Sequence, residues 1–270
     1  MTDRRRAGEL RVARLRARTA RQFALRDLDF HFPGASRVYR IALPAEPDAP
    51  LDRFAARTVR VASEPDAVET SSAAAGAREA VAAGTHMPYW GLLWPSGLAL
   101  AEAVLARSDH IRGRRVLELG CGLGVTATAA LDAGARLWAA DCFGEALLFT
   151  RYNALRNSLG APRTLLLDWR TEEGRSACVA AGPFDRLLAA DVLYEDENVA
   201  PLLDLAPRLL SAGGEFWLAE PGRRVSVAFV AEAHACGWQD EEAVFERAWP
   251  PDGDRVRVAV HRFAHVTPSL

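Results

Sequence analysis

The chain has 270 residues, half of them hydrophobic and a quarter charged, which is globular composition and excludes a disordered or fibrous chain. Its net charge of −2 gives no overall attraction to a nucleic-acid polyanion. No apolar run approaches the roughly 20 residues that cross a bilayer, so no membrane role is expected.

The near-neutral balance hides a split. Residues 1–26 carry nine Arg against Asp3 and Glu9, a net of +7 that leaves −9 on the remainder. All 33 basic residues are Arg, and Lys is absent. The N-terminus lacks the apolar core of a secretory signal, and its Arg-rich stretch lacks the Ser of a transit peptide. The four cysteines form no C-x-x-C pair, which fits reduced thiols and a cytoplasmic chain.

Residues 4–25 have helical spacing, with Val12, Leu15, Thr19 and Phe23 on one stripe. Its basic face reads as a solvated surface, with docking to an acidic partner protein or to RNA as the alternative. Leu28–Phe32 and Arg37–Leu43 alternate like strands around Pro33-Gly34, and Thr58–Ala62 has the look of a third. Residues 63–85 turn to Ala, Ser, Gly and Glu, a linker composition. The expected division is therefore 1–85, an Arg-rich helix, short strands and linker, and 86–270, a catalytic domain.

From there helices and strands alternate. A helix over 96–106 precedes strand 115–119, helix 123–133, strand 136–140, helix 144–158 and strand 163–167. A short helix near 172–180, strand 184–190, helix 197–210, strand 214–219 and helix 225–236 follow. Two last runs, Glu241–Trp249 and Arg255–Phe263, are joined by Pro250-Pro251-Asp252-Gly253-Asp254, a link that makes antiparallel neighbours. The expected fold is an α/β, Rossmann-like seven-stranded sheet. It has five parallel strands plus a C-terminal antiparallel pair, with helices on both faces.

The stretch Arg114–Asp141 concentrates the chemistry. A strand, three glycines at alternate positions (Gly120, Gly122, Gly124), a helix and a second strand ending on Asp141 form half of a nucleotide-binding unit. Asp141 lies 21 residues after Gly120, near the spacing at which an acid accepts from ribose hydroxyls. A pyrophosphate cofactor needs a small residue where Val125 stands, and Glu118 would face its phosphates. An acid there suits a ligand with a cationic amino-acid end, such as S-adenosylmethionine.

Other strand ends carry further candidates. Trp94 lies before a helix that Ser96 is placed to cap, and can cover a bound nucleoside. Asp168 can accept adenine amino hydrogens while Trp169 packs on the ring, or Asp168 is simply a helix cap. Asp191 to Tyr194, after the fourth strand, face the point where strand order reverses. Glu220 either orients a cationic substrate or holds Arg223.

Taken together, Pro88–Gly97, Glu118–Gly124, Asp168-Trp169 and Asp191–Tyr194 resemble the seven-β-strand protein-lysine methyltransferases. Within them the likeness is to the enzymes acting on electron transfer flavoprotein β subunit and their bacterial relatives. It covers residues 86–225 well; Glu220 stands where that group usually has Asp. The resemblance implies that Trp94, Glu118, Gly120, Cys121, Gly122, Gly124, Asp141, Cys142, Asp168, Trp169 and Ala190 hold S-adenosylmethionine. It also implies that Asp191 and Tyr194 act on the acceptor and that Trp90 and Glu220 contact it. No metal is implied. The expected acceptor is a protein lysine, on electron transfer flavoprotein β subunit or a ribosomal or translation protein. The alternatives are a small amine or other nucleophile as acceptor, a protein that binds S-adenosylmethionine or a partner without turnover, or a nicotinamide-dependent reductase, against which Val125 counts.

Overall fold

The computed structural model describes residues 3–61, 87–249 and 253–265. Helix α1 (Asp3–Ala20) ends in a turn, and an antiparallel hairpin follows, β1 (Leu25–Phe30) with β2 (Tyr39–Pro44), then helix α2 (Ala49–Val61). The strand expected at Thr58–Ala62 is, as far as Val61, the end of α2. A four-residue alternation is outweighed by the longer helical pattern, in which Phe54 meets Phe143 edge-on with ring centres 6.4 Å apart. The expected linker at 63–85 and the boundary after it lie outside the described residues.

The alternating region runs as expected in kind. Helices α3 (Pro95–Ala106) and α4 (Ser108–Ile111) precede β3 (Arg115–Leu119), α5 (Val125–Asp132), β4 (Arg136–Asp141) and α6 (Gly144–Arg156). Then come β5 (Arg163–Leu166), α7 (Glu172–Ala181), β6 (Phe184–Ala190), α8 (Val199–Leu209), β7 (Leu210–Glu220), α9 (Arg224–Ala235), β8 (Trp238–Ala248) and β9 (Arg255–His265). The large sheet has the order β5-β4-β3-β6-β7-β9-β8. Its first five strands are parallel, and β9 and β8 close it antiparallel. Strand β7 begins four residues early because Leu210 already pairs with Phe184 across a register shift.

Two cores follow from the alternation of side chains along each strand. Val116 joins Leu98, Val104, Ala127 and Phe149 on one face, while Leu117 and Leu119 join Leu202, Leu205 and Phe229 on the other. A strand buried on both sides reads as an unbroken apolar run, which is why β3 and β6 were legible residue for residue.

The N-terminal elements belong to the first core. Phe23, Phe32, Tyr39, Ile41 and Leu43 are buried in it. Helix α6 holds their hairpin by its edge: the Asn153 carboxamide exchanges two hydrogen bonds with the Ala42 backbone, at 2.8 and 2.9 Å, and Asn157 does the same with Arg40, both at 2.8 Å. One helical turn apart, the two amides imitate a strand partner and cover the edge of β2. Arg156 adds a bidentate pair to Asp27 at 2.6 and 2.7 Å. Among the described residues no helix is long and apolar enough to cross a membrane.

Candidate active site

Strand order reverses between β3 and β6, and ligands of open α/β sheets bind beyond the strand ends at such a point. Here the strand ends surround a cleft of about 920 Å³, counted out to open solvent. The glycine loop forms its base. Gly124 has φ +76°, and a Cβ there would lie 2.7 Å from the Thr150 Cα; one on Gly120 would lie 2.9 Å from Val192 Cγ1. Only glycine fits between α6 and the segment after β6. The loop's carbonyls are tied down by hydroxyl and amide donors: Thr150 donates to Gly122 O at 3.0 Å, Asn153 to Leu123 O at 2.8 Å and Thr128 to Gly124 O at 2.6 Å.

Two carboxylates face this loop from neighbouring strand ends. Glu118 is 3% exposed, and its Oε2 has no hydrogen-bond partner. Burial, then the charge of Asp141, pushes its carboxyl up to about 8, against opposing hydrogen bonds from Thr126 and the Ala127 amide. Burial likewise pushes Asp141 up to about 6, although its oxygens accept from Gly122 N at 3.0 Å and Phe143 N at 2.9 Å. Each oxygen keeps acceptor capacity for a ligand hydroxyl. Cys121 and Cys142 flank the loop as free thiols raised by burial.

At the end of β5, Asp168 is not a helix cap. Thr171 caps α7, accepting from Gly174 N at 3.1 Å, while the Asp168 carboxylate accepts from Arg170 Nε at 2.8 Å. Trp169 lines the cleft beside it from the second core, and Ala190 lines the opposite side.

The side of the cleft expected to face an acceptor is built by the segment after β6. Asp191 adopts φ +56°, a left-handed backbone uncommon outside glycine. Its amide donates to Ala219 O at 3.0 Å, and its carboxylate accepts from Arg223 Nε at 2.9 Å. The Tyr194 ring meets Tyr89 edge-on at 5.7 Å, and Tyr89 meets Trp94 edge-on at 6.1 Å. Burial pushes the Tyr194 hydroxyl up to about 12. The Trp94 indole donates to Tyr89 O at 3.1 Å, and the Arg223 guanidinium lies 5.8 Å from the centre of its ring.

Three expected placements differ. Glu220 does not line the cleft: it accepts from Gly222 N and Ser226 Oγ and faces His261 at 3.5 Å, while Arg223 goes to Asp191. At the tip of β7 its side chain falls among α9 and β9, away from the cleft. Trp90 borders the cleft, but its ring packs at 5.4 Å on both Phe23 and Phe149, so it supports the loop from behind. Ser96 is inside α3, whose N-cap is Trp94 and whose first residue is Pro95; its hydroxyl is buried without a hydrogen-bond partner. Every other expected site residue lines the cleft.

Sequence reading named Arg223 only as a partner of Glu220 and missed Arg170, Thr150 and Asn153. The last two left a signal, since they are polar residues three apart on the otherwise apolar face of α6. The donor set fits S-adenosylmethionine. A cationic ammonium satisfies the orphaned Glu118 oxygen, the glycine cradle admits close approach, and Asp141 can accept from a ribose.

A family model described as lysine methyltransferase matches residues 87–230, which is 144 of the chain's 270. The electron transfer flavoprotein beta subunit lysine methyltransferase of Xenopus laevis is 34% identical over 143 residues, covering 50% of this chain and 53% of the relative. That of Rattus norvegicus is 33% identical over 140 residues, covering 50% and 51%. The chain thus spans about half the length of the curated relatives it matches. Among solved structures, the T. thermophilus 16S rRNA N2 G1207 methyltransferase superposes with a TM-score of 0.54 at 16% identity, covering 90% of this chain and 51% of that one, a likeness of fold.

Proposed function

The chain belongs to the lysine methyltransferase family, and from that premise we propose that it transfers methyl groups from S-adenosylmethionine to a lysine side chain of a protein. The observation that carries the reading is the buried, unpaired oxygen of Glu118 beside a second carboxylate at the glycine loop. Two buried acids at one loop call for a positive ligand. S-adenosylmethionine supplies a sulfonium-activated methyl, so transfer needs alignment rather than a covalent enzyme intermediate.

The chain's own residues provide that alignment. Glu118 takes the ammonium, Asp141 the ribose hydroxyls, and Asp168 with Trp169 the adenine. Positioning of this kind contributes about 7–11 kcal/mol. A lysine acceptor, with an ordinary pKa of about 10.4, pays roughly 4 kcal/mol to present a neutral amine at pH 7.4. The aromatic walls of Tyr89, Trp94 and Tyr194 lower that cost by disfavouring the charged form. Tyr194 stays a neutral phenol at such pH, so it shapes the channel and does not act as a base. Asp191 orients the amine. The free thiols fit a reducing compartment such as the cytoplasm.

Electron transfer flavoprotein β subunit is the first acceptor to try, given the relatives' names. The test incubates the chain with radiolabelled S-adenosylmethionine and either that protein or a lysate, with small molecules separated afterwards. Labelled lysine in a discrete protein is the expected result. Label confined to small molecules transfers the reading to a small amine; no label and no S-adenosylhomocysteine leaves only binding.

A further inference from the structure

A second cleft adjoins the first on its acceptor side. It holds about 1320 Å³ counted out to open solvent, and the two clefts share Leu92, Leu93, Trp94 and Asp191 as a dividing wall. The outer cleft is bordered by Arg26 on β1, by Arg223 after β7, and by Trp249 beyond β8. Its charge is uneven. Among the described residues Asp191 is its one lining carboxylate; that side chain is 6% exposed and already engaged by Arg223. Arg26 is exposed and has no ion-pair partner among the described residues.

We propose that this outer cleft seats an acidic segment of the protein acceptor, and that a carboxylate near the target lysine takes Arg223 over from Asp191. The proposal rests on the lysine-transfer reading. A lysine that reaches the inner cleft passes the wall at Asp191, where Arg223 stands 2.9 Å from the carboxylate. A second cation arriving there repels the first. A substrate carboxylate removes the conflict by exchange of partners: Arg223 pairs with the substrate acid, and Asp191 is released to the lysine. Charge is conserved, and neither partner of the original pair is left alone. Arg26 supplies a second cation from a separate element, so the cleft favours a segment carrying more than one acid. The Leu and Trp surfaces between them accommodate the aliphatic stem of the lysine. An acceptor with neutral or basic neighbours leaves Arg223 in place and enters against it.

The test uses the full chain with S-adenosylhomocysteine bound. Short peptides carrying a central lysine flanked by Glu, Gln or Arg are titrated by calorimetry. The Glu peptide is expected to bind at least about tenfold more tightly than the Gln peptide, with the Arg peptide weakest. Arg26→Glu should shrink that preference, with Arg26→Gln as the milder variant and melting curves as the check on folding. Equal affinity for Glu and Gln peptides, or a preference untouched in both variants, overturns the proposal. The same peptides and the whole acceptor protein are then assayed for methyl transfer. Acid-dependent binding with no lysine methylation anywhere overturns the transfer reading alone. Methylation indifferent to the neighbouring residues overturns the cleft alone.

Discussion

Glu118 and Asp141 stand on adjacent parallel strands, and the charge of Asp141 makes Glu118 harder to ionise in a site that already disfavours ions. In the ligand-free chain the folded value of about 8 lies above the ordinary 4.5. The folded state then holds an extra proton between those values, so stability falls as pH rises from 4.5 to about 8 and levels off beyond. Glu118→Gln should flatten this slope, by at most on the order of 5 kcal/mol. Urea unfolding at pH 5 and pH 8 checks it, and parallel slopes in both proteins refute it. Wild-type affinity for S-adenosylmethionine should rise with pH over the same window, and the Gln variant should lose the part of that rise between about pH 6 and 8, keeping the part below that belongs to Asp141.

Gly97 and Gly124 both line the cleft but should respond oppositely to alanine. A Cβ on Gly97 meets nothing within 4 Å, and the residue is helical. Gly97→Ala should stabilise by a few tenths to about 1 kcal/mol. Gly124→Ala should cost about 1–2 kcal/mol from its left-handed backbone alone, with the collision against Thr150 added. Melting temperatures of the two variants separate the cases.

Asp191→Asn should abolish methyl transfer while leaving cofactor affinity within a few fold. Asparagine is the suitable probe because it tolerates the left-handed backbone that Asp191 adopts. Wild-type turnover in this variant would remove Asp191 from the chemistry.

Phe23→Ala should destabilise by about 3–5 kcal/mol, since the ring is buried against Trp90 and Phe149. Deleting residues 1–26 should accordingly lower the melting temperature, not merely raise KM. An unchanged melting temperature with a raised KM would instead make the segment a docking arm.

Burial opposes a charge on His261, yet the hydrogen bond with Asp240 at 2.7 Å and the Glu220 carboxylate 3.5 Å away outweigh it and raise the imidazole to about 9. Its stabilising charge is fully present below the ordinary 6.5 and is lost as pH rises through about 9. The stability gap between wild type and His261→Gln should therefore narrow over that interval. A constant gap from pH 6 to pH 10 would contradict it.

The sheet was legible because buried parallel strands leave apolar runs such as Val116–Leu119, and glycine at positive φ leaves a fixed spacing. Partner choice was not legible. Nothing in Glu220-Pro221-Gly222-Arg223 says that the arginine turns to Asp191 while the glutamate turns to His261, because that depends on where β9 falls. Ser96 looks like a cap because serine favours that position, but Pro95 takes the first helical position and leaves Ser96 inside the first turn. The outer cleft draws on β1, the loop after β7 and the last hairpin, three segments with no common sequence signal.

Asn153 bonds the hairpin strand with one face of its amide and the glycine loop, at Leu123 O, with the other. The N-terminal hairpin and the cofactor cradle therefore share a single rigid fixture. Transplanting β1 and β2 onto another member of the fold would require α6 to travel with them, and a change in the hairpin would be felt first at the glycine loop.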